Sequence, residues 1–368
     1  MTYEGTYALM GSIKTPLFFK DKPLFGFDIG TGSIKVMQVG SEARKKRPVV
    51  GYGMIRFDGT KTMRDGEIID IKTVAKVAKE LFQHQLIGDI TTHRVALSVP
   101  TFRTYTRELQ LPKMSDKELA QAVQAEAEQY IPRPLDELYI DHTITARTEN
   151  EITVYMVAVP RNIVDSYINL TQVLGLEAVF IEPSIISSTR LLGLDTHNEI
   201  PGVLVDFGTR SADVSIFDNQ RVTVSGTVQS GGDLFTERIK DALGVNQEEA
   251  TLIKTKYGLS LSKKQAEIRK AVEPLLSQTI KEVKRMVRYY EERGDNTNKI
   301  GQIITMGGGA NMPGLNDYLT EHLRMPVRMF DPWQVLDYGK LQPPSYAERS
   351  MYMTVAGLGL VSSKGVIT

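Results

Sequence analysis

Two hydrophobic rhythms alternate along this chain, and the places where they switch outline its elements. Residues 24–27 (LFGF) form a short apolar run, a glycine-containing turn follows, and alternation resumes with Ile34 and Val36. That succession predicts a β-hairpin. It occurs again about half a chain later, with VLV at 203–205, a turn from Asp206, then Val214 and Ile216. DIGTGSIKVMQV from Asp28 and DFGTRSADVSIF from Asp206 align in register as Asp28/Asp206, Gly30/Gly208, Thr31/Thr209, Ser33/Ser211 and Val36/Val214. A hairpin made twice predicts a pseudo-symmetric, two-lobed α/β protein.

Between the two copies the rhythm differs. Residues 95–100 and 105–111 read as strands, and 115–131 as a helix that Ser115 opens, with Glu118 three residues on as a capping box. Alternation returns at 138–147 and 152–160, so an inserted ββαββ subdomain is expected at 90–160. Helices at 162–174 and 184–192 flank the strand AVFIEP. Residues 233–293 are mostly helical, and a strand at 302–306 leads into a glycine turn. A small-residue apolar helix at 356–361 is expected to fold back onto the first lobe. The expected domains are an arm at 1–23, a first lobe at 24–200, a second at 201–335 with a helical subdomain at 236–298, and a return at 336–368.

Composition narrows the function. A chain of 368 residues, 41% hydrophobic and 24% charged, is long enough for two buried cores. Lysine plus arginine equals aspartate plus glutamate, 44 each, so no long-range field draws it to nucleic acid or anionic lipid. The basic stretch ARKKRP at 43–48 joins two alternating segments and reads as an exposed hairpin turn. There is no cysteine, and the five histidines (His84, His93, His142, His197 and His322) lack ligand spacing, which excludes thiol chemistry and a histidine metal site. No apolar run is long enough to span a bilayer and no signal segment opens the chain, so direct membrane insertion is not expected.

The hairpin Asp-x-Gly-Thr-x-Ser suits phosphate. Glycine lets backbone N–H groups approach phosphate oxygens, the Thr and Ser hydroxyls add donors, and the leading Asp can hold a hydrated Mg²⁺. The alternative is a plain turn, since Asp and Gly dominate turns; the in-register repeat favours the phosphate reading. A third cluster, MGGGANMPGL at 306–315, stands between a strand and a helix, where bare backbone can receive a flat ligand.

The order of these motifs resembles the actin, Hsp70 and sugar-kinase superfamily: phosphate hairpin, helix after the EP of IEPSIISSTRLLGL (181–194), second hairpin, GGG turn, small-residue helix. The inserted subdomain resembles that of the FtsA and PilM branch. AEAEQYIPRPLDELYIDH (125–142) and DGEIIDIKTVAKVA (65–78) resemble the PilM family in particular.

This resemblance implies an actin-like (ribonuclease H-like) fold with ATP and Mg²⁺ between the lobes. It implies Asp28 and Asp206 as magnesium-water carboxylates, and Gly30, Thr31, Gly32, Ser33, Lys35, Gly208, Thr209, Arg210 and Ser211 as phosphate loops. Gly231, Gly232 and Asp233 then lie beside ribose and phosphate, and Gly307, Gly308, Gly309 and Asn311 form the adenosine turn. On the helix at 277–291, Ile280, Val283, Val287 and Tyr290 form an apolar face. Lys281, Lys284 and Arg285 on the other face either meet the nucleoside or are solvated. Glu182 and Asp213 are the candidates to orient a hydrolytic water, although Glu182 equally fits a helix-dipole contact.

The implied function is a cytoplasmic scaffold of type IV pilus assembly, peripheral to the inner membrane through its partners. It receives the N-terminal peptide of a PilN-like inner-membrane protein at residues 90–160, and ATP hydrolysis is slow at most. An FtsA-like filament former is the first alternative. That family usually ends in a basic amphipathic helix, and LVSSKGVIT is not one. A small-molecule kinase is the second, and no acceptor pocket is legible for it.

Overall fold

The architecture, seen in a computed structural model that describes residues 22–40, 47–195, 200–218, 221–293 and 299–361, repeats one sheet topology twice. Most of the expected arm, most of the basic hairpin turn and the last seven residues lie outside the described residues.

In the first lobe, β1 (Phe25–Ile29), β2 (Ser33–Val39) and β3 (Arg47–Arg56) form an antiparallel meander. β4 (Arg94–Val99) adds to β1 in parallel. The insertion then supplies β5 (Tyr105–Pro112), α2 (Asp116–Tyr130), β6 (Leu138–Arg147) and β7 (Glu151–Pro160), after α1 (Ile71–His84) upstream. Following α3 (Arg161–Leu174), β8 (Glu177–Pro183) pairs with β4, giving the order 3-2-1-4-8.

The second lobe repeats the plan. β9 (Gly202–Phe207), β10 (Ala212–Asp218) and β11 (Arg221–Val228) form the meander. β12 (Gln302–Met306) and β13 (Val327–Met329) extend it in parallel, in the order 11-10-9-12-13. α4 (Ser184–Leu192) joins the lobes. α5 (Gly232–Leu243), α6 (Gln247–Lys256), α7 (Gln265–Arg293) and α8 (Leu315–Leu323) cover the second sheet. A two-residue strand, Leu336–Asp337, pairs with β3, and α9 (Met353–Gly359) packs on β1 and α4.

One expectation is corrected. The strand at 95–100 is not part of the insertion, which is a βαββ unit with sheet order 5-7-6. Val95 to Val99 are buried without interruption, as a parallel strand covered on both faces must be, whereas the insertion strands alternate. The insertion keeps its own core: Leu109 and Leu111 of β5 and Val154 and Met156 of β7 close on Leu119, Val123 and Ala127 of α2. The Ser115–Glu118 capping box opens that helix as the sequence predicts. Each lobe has a core, and a further cluster draws from both, joining Met37 and Tyr52 to Leu204, Phe217, Ile304 and Trp333 around α4 and α9.

Candidate nucleotide cleft

The two hairpins turn in the same way. In each the first glycine N–H donates to the serine carbonyl, Gly30 to Ser33 at 3.0 Å and Gly208 to Ser211 at 2.9 Å. Their tips meet. A Cβ on Gly32 would lie 2.7 Å from Thr209 Oγ1, so only glycine lets the first tip approach the second this closely. The following loop braces the first tip, with Gly59 N–H donating to the Thr31 carbonyl at 2.8 Å.

Behind the tips sit the acids. Asp28 stands opposite Lys35 in the β1/β2 ladder, and Asp206 opposite Asp213 in β9/β10. Lys35 Nζ donates to Asp28 Oδ2 at 2.7 Å, and Ser98 Oγ to Oδ1 at 2.7 Å. The second pair has no lysine of its own. Burial, then Asp213, then Asp28 push the Asp206 carboxyl up to about 7, against the pull of Lys35. Burial pushes Asp213 up to about 6, although Thr227 Oγ1 donates to it at 2.5 Å. Three carboxylates facing one ammonium leave an excess of negative charge that a cation would relieve. Among the described residues no three His, Cys, Asp or Glu side chains are grouped so as to hold a metal ion.

The glycine turn closes the floor. Gly307 has φ +83°, and a Cβ there would lie 2.3 Å from Asp206 Oδ1, so the position requires glycine twice over. Gly309 abuts Phe207 and the N–H of Gly232, which brings the turn, the second hairpin and the start of α5 together. Gly232 and Asp233 donate their N–H groups to the carbonyls of Gly208 and Thr209 at 2.9 and 2.8 Å. From α6, Lys254 Nζ reaches the Gly232 carbonyl at 2.7 Å. Burial lowers the pKa of this ammonium, with Asp233 opposing, and burial raises that of Asp233.

The family model of the type IV pilus assembly protein PilM matches residues 26–363. This chain belongs to the PilM family. Among solved structures, a PilM–PilN type IV pilus biogenesis complex is similar at TM-score 0.80 and 20% identity, covering 93% of this chain and 98% of that one. MreB5 of Spiroplasma citri bound to AMPPNP is similar at TM-score 0.50 and 14% identity, covering 92% and 95%. The cell division protein FtsA of Streptococcus pneumoniae is 24% identical over 355 residues, 84% of this chain and 76% of that one. The actin-like fold is thus shared with PilM, MreB and EutJ structures.

Within this PilM-family cleft, several sequence expectations shift. The two hairpin turns, the start of α5 and Gly307 to Gly309 lie in contact with one another, and Arg210 is paired to Glu237 at 3.2 Å. Asn311 is spent on the turn itself, donating to the carbonyls of Gly307 and Gly308 and to Ser350 Oγ. Ile280, Val283 and Tyr290 are buried as expected. Lys281 and Lys284 are exposed, and Lys284 lines a surface groove with Leu323 and Met325, at the end of α8 remote from the glycine turn. The lysine that does reach the glycines is Lys254. No local signal marks it, since α6 reads as a short, solvated helix.

Glu182 is also reassigned. Its two carboxylate oxygens accept from Arg190 Nη1 and Nη2, both at 2.6 Å, and Ser187 Oγ adds a bond at 2.7 Å. The same guanidinium reaches the Gly357 carbonyl at 3.1 Å. The group is 6% exposed and accepts three hydrogen bonds from Arg190 and Ser187, and through Arg190 it ties α4 to α9.

Proposed function

We propose that this PilM-family protein binds ATP with Mg²⁺ between its lobes and uses the bound state to organise a cytoplasmic platform of type IV pilus assembly. The observation that carries the reading is the pair of matching hairpins whose tips meet above Asp28, Asp206 and Asp213. Asp28 and Asp206 are the residues that would hold magnesium, through its hydration shell, and the ion supplies neutralisation of phosphate charge. The hairpin backbone and the hydroxyls of Thr31, Ser33, Thr209 and Ser211 would donate to phosphate oxygens, and Lys35 adds a positive charge. Lys254 and Asp233 stand where the glycine turn meets α5, on the side of the nucleoside.

Asp213 is the group placed to orient a water, because Thr227 fixes one oxygen and its raised pKa lets it hold a proton. Asp206, opposite it, crowds the same negative site, so neither carboxylate is a free base, and turnover is expected to stay below the typical enzyme range of about 1–10³ s⁻¹.

The partner is a PilN-like inner-membrane protein, received through its cytoplasmic N-terminal peptide. Support comes from the likeness to a PilM–PilN complex and from the seam where the insertion meets the first lobe. There Arg161 stacks 4.2 Å over Tyr139, and its Nε donates to the Asp136 carbonyl at 2.7 Å. Tyr139 itself donates to Asp165 at 3.0 Å. Exposed Phe102 and Tyr139 offer apolar surface to an extended segment. Among the described residues no helix is long and apolar enough to cross a bilayer, so attachment is assigned to the partner.

Thermal unfolding with Mg²⁺ and ATP tests the cleft. At a ligand concentration of 100 Kd the gain is about 2.7 kcal/mol, and Asp28→Ala or Asp206→Ala should remove its magnesium-dependent part. An unchanged shift in both variants would reduce the hairpins to turns. Titration of a synthetic partner N-terminus should give an affinity of about micromolar that weakens in Tyr139→Ala. Equal binding in that variant would move the partner elsewhere.

A further inference from the structure

The second lobe touches the insertion along one strand, and the same strand ends at the cleft. Thr227 of β11 donates to Asp213 at 2.5 Å. Two residues back, on the same face, Ser225 Oγ lies 3.1 Å from Thr106 Oγ1 of β5. Neighbouring ladder positions continue the line, with Asp213 opposite Thr227 and Ser215 opposite Ser225. β11 is the outer strand of its sheet, held by one ladder with a bulge after Ile216, and is therefore freer to shift than a strand paired on both sides.

The seam also has unused bonding capacity. The hydroxyl of Ser215 is buried and finds no hydrogen-bond partner among the described residues, while the buried hydroxyl of Tyr155, on the insertion strand β7, lies against Thr106. A buried hydroxyl without a partner is costly, so an arrangement of the seam that pairs it is favoured.

We propose that β11 couples the cleft to the insertion, with Thr227, Ser225 and Thr106 forming a line of hydroxyls through which occupancy of the cleft sets how the insertion sits. The inference rests on the nucleotide reading above. A bound triphosphate and cation change what the Asp213 carboxylate faces, Thr227 follows its acceptor, and the strand that carries Ser225 moves against Thr106. A partner seated on the insertion acts on the cleft by the same route, since coupling between two sites is reciprocal.

Hydrogen exchange of the full chain, with and without Mg²⁺ and AMPPNP, tests this. In the unaltered protein, peptides over 28–35 and 206–213 should gain protection, and exchange over 105–112 should change by about twofold or more. Ser225→Ala and Thr106→Val touch no cleft residue, so protection at the hairpins persists while the response at 105–112 falls by at least about half; Ser225→Thr restores it. Hairpin protection with no response at 105–112, or a full response in both variants, overturns the coupling. Absence of hairpin protection in the unaltered protein overturns the nucleotide reading, and the coupling with it.

Discussion

Asp28 and Asp206 stand at equivalent places in two copies of one hairpin, yet their neighbours make them different groups. Asp28 has Lys35 and Ser98; Asp206 has Asp213 across the ladder and is pushed up to about 7. A carboxyl whose folded pKa is raised binds its proton better in the folded state. Its favourable share of stability is therefore present at acid pH and is lost as pH rises from the ordinary carboxylate value of 3.8 through about 6 for Asp213 and about 7 for Asp206. In chelator, the midpoint of thermal unfolding should fall across that window, and Asp206→Asn should flatten the slope. Saturating Mg²⁺ and ATP should flatten it as well. Glu182 stands in a different setting, paired to a bidentate guanidinium. Glu182→Gln should cost about 3–5 kcal/mol in chemical denaturation, by leaving Arg190 without its charge partner, while ATP turnover per folded molecule stays the same. Lower turnover at unchanged stability would return Glu182 to the catalytic role expected from sequence.

At the scale of elements, α4 is held from outside its own sequence. Its N-cap is Pro183, which offers no side-chain acceptor. Thr101, in the hinge where the insertion leaves the first lobe, takes over, accepting from Ile185 N–H at 3.2 Å and contacting Ser184 Oγ at 2.9 Å. Thr101→Val should therefore cost about 0.5–2 kcal/mol, the range for a lost cap, and should raise exchange at the start of α4. Ser115→Ala removes a cap of ordinary local design, and a loss of about 1 kcal/mol should be confined to α2 and its sheet. Exchange that rises equally in the second lobe in the Ser115 variant would mean that the insertion does not open by itself.

Over the whole molecule, the cluster built from both lobes around α4 and α9 ties them into one cooperative body, whereas the insertion closes on a core of its own. Native-state hydrogen exchange in low denaturant should show the lobes opening together and residues 105–160 opening at a lower free energy. One shared opening free energy for all three would contradict this. Such an arrangement would suit the proposed platform: a steady two-lobed frame, and a less stable unit at the surface for the proposed partner.

How much of this was legible beforehand follows from the range of each interaction. The hairpins, their glycines, the Ser115 cap and the repeated strand order depend on local periodicity and turn chemistry, so the sequence by itself determined the two-lobed fold and the paired hairpin turns. It determined family membership too, because long strings such as DGEIIDIKTVAKVA carry it. Tertiary structure alone decided that residues 95–99 join the lobe's sheet, since a buried strand of mixed residues has no sequence mark of its partners. It also decided that Glu182 is spent on Arg190, that Lys254 reaches the glycines while Lys281 and Lys284 face solvent, and that Ser225 meets Thr106. These contacts join residues on different elements, many of them far apart along the chain. A side chain's charge is written in the sequence, but what lies opposite that charge is settled only when the sheets and helices close around it.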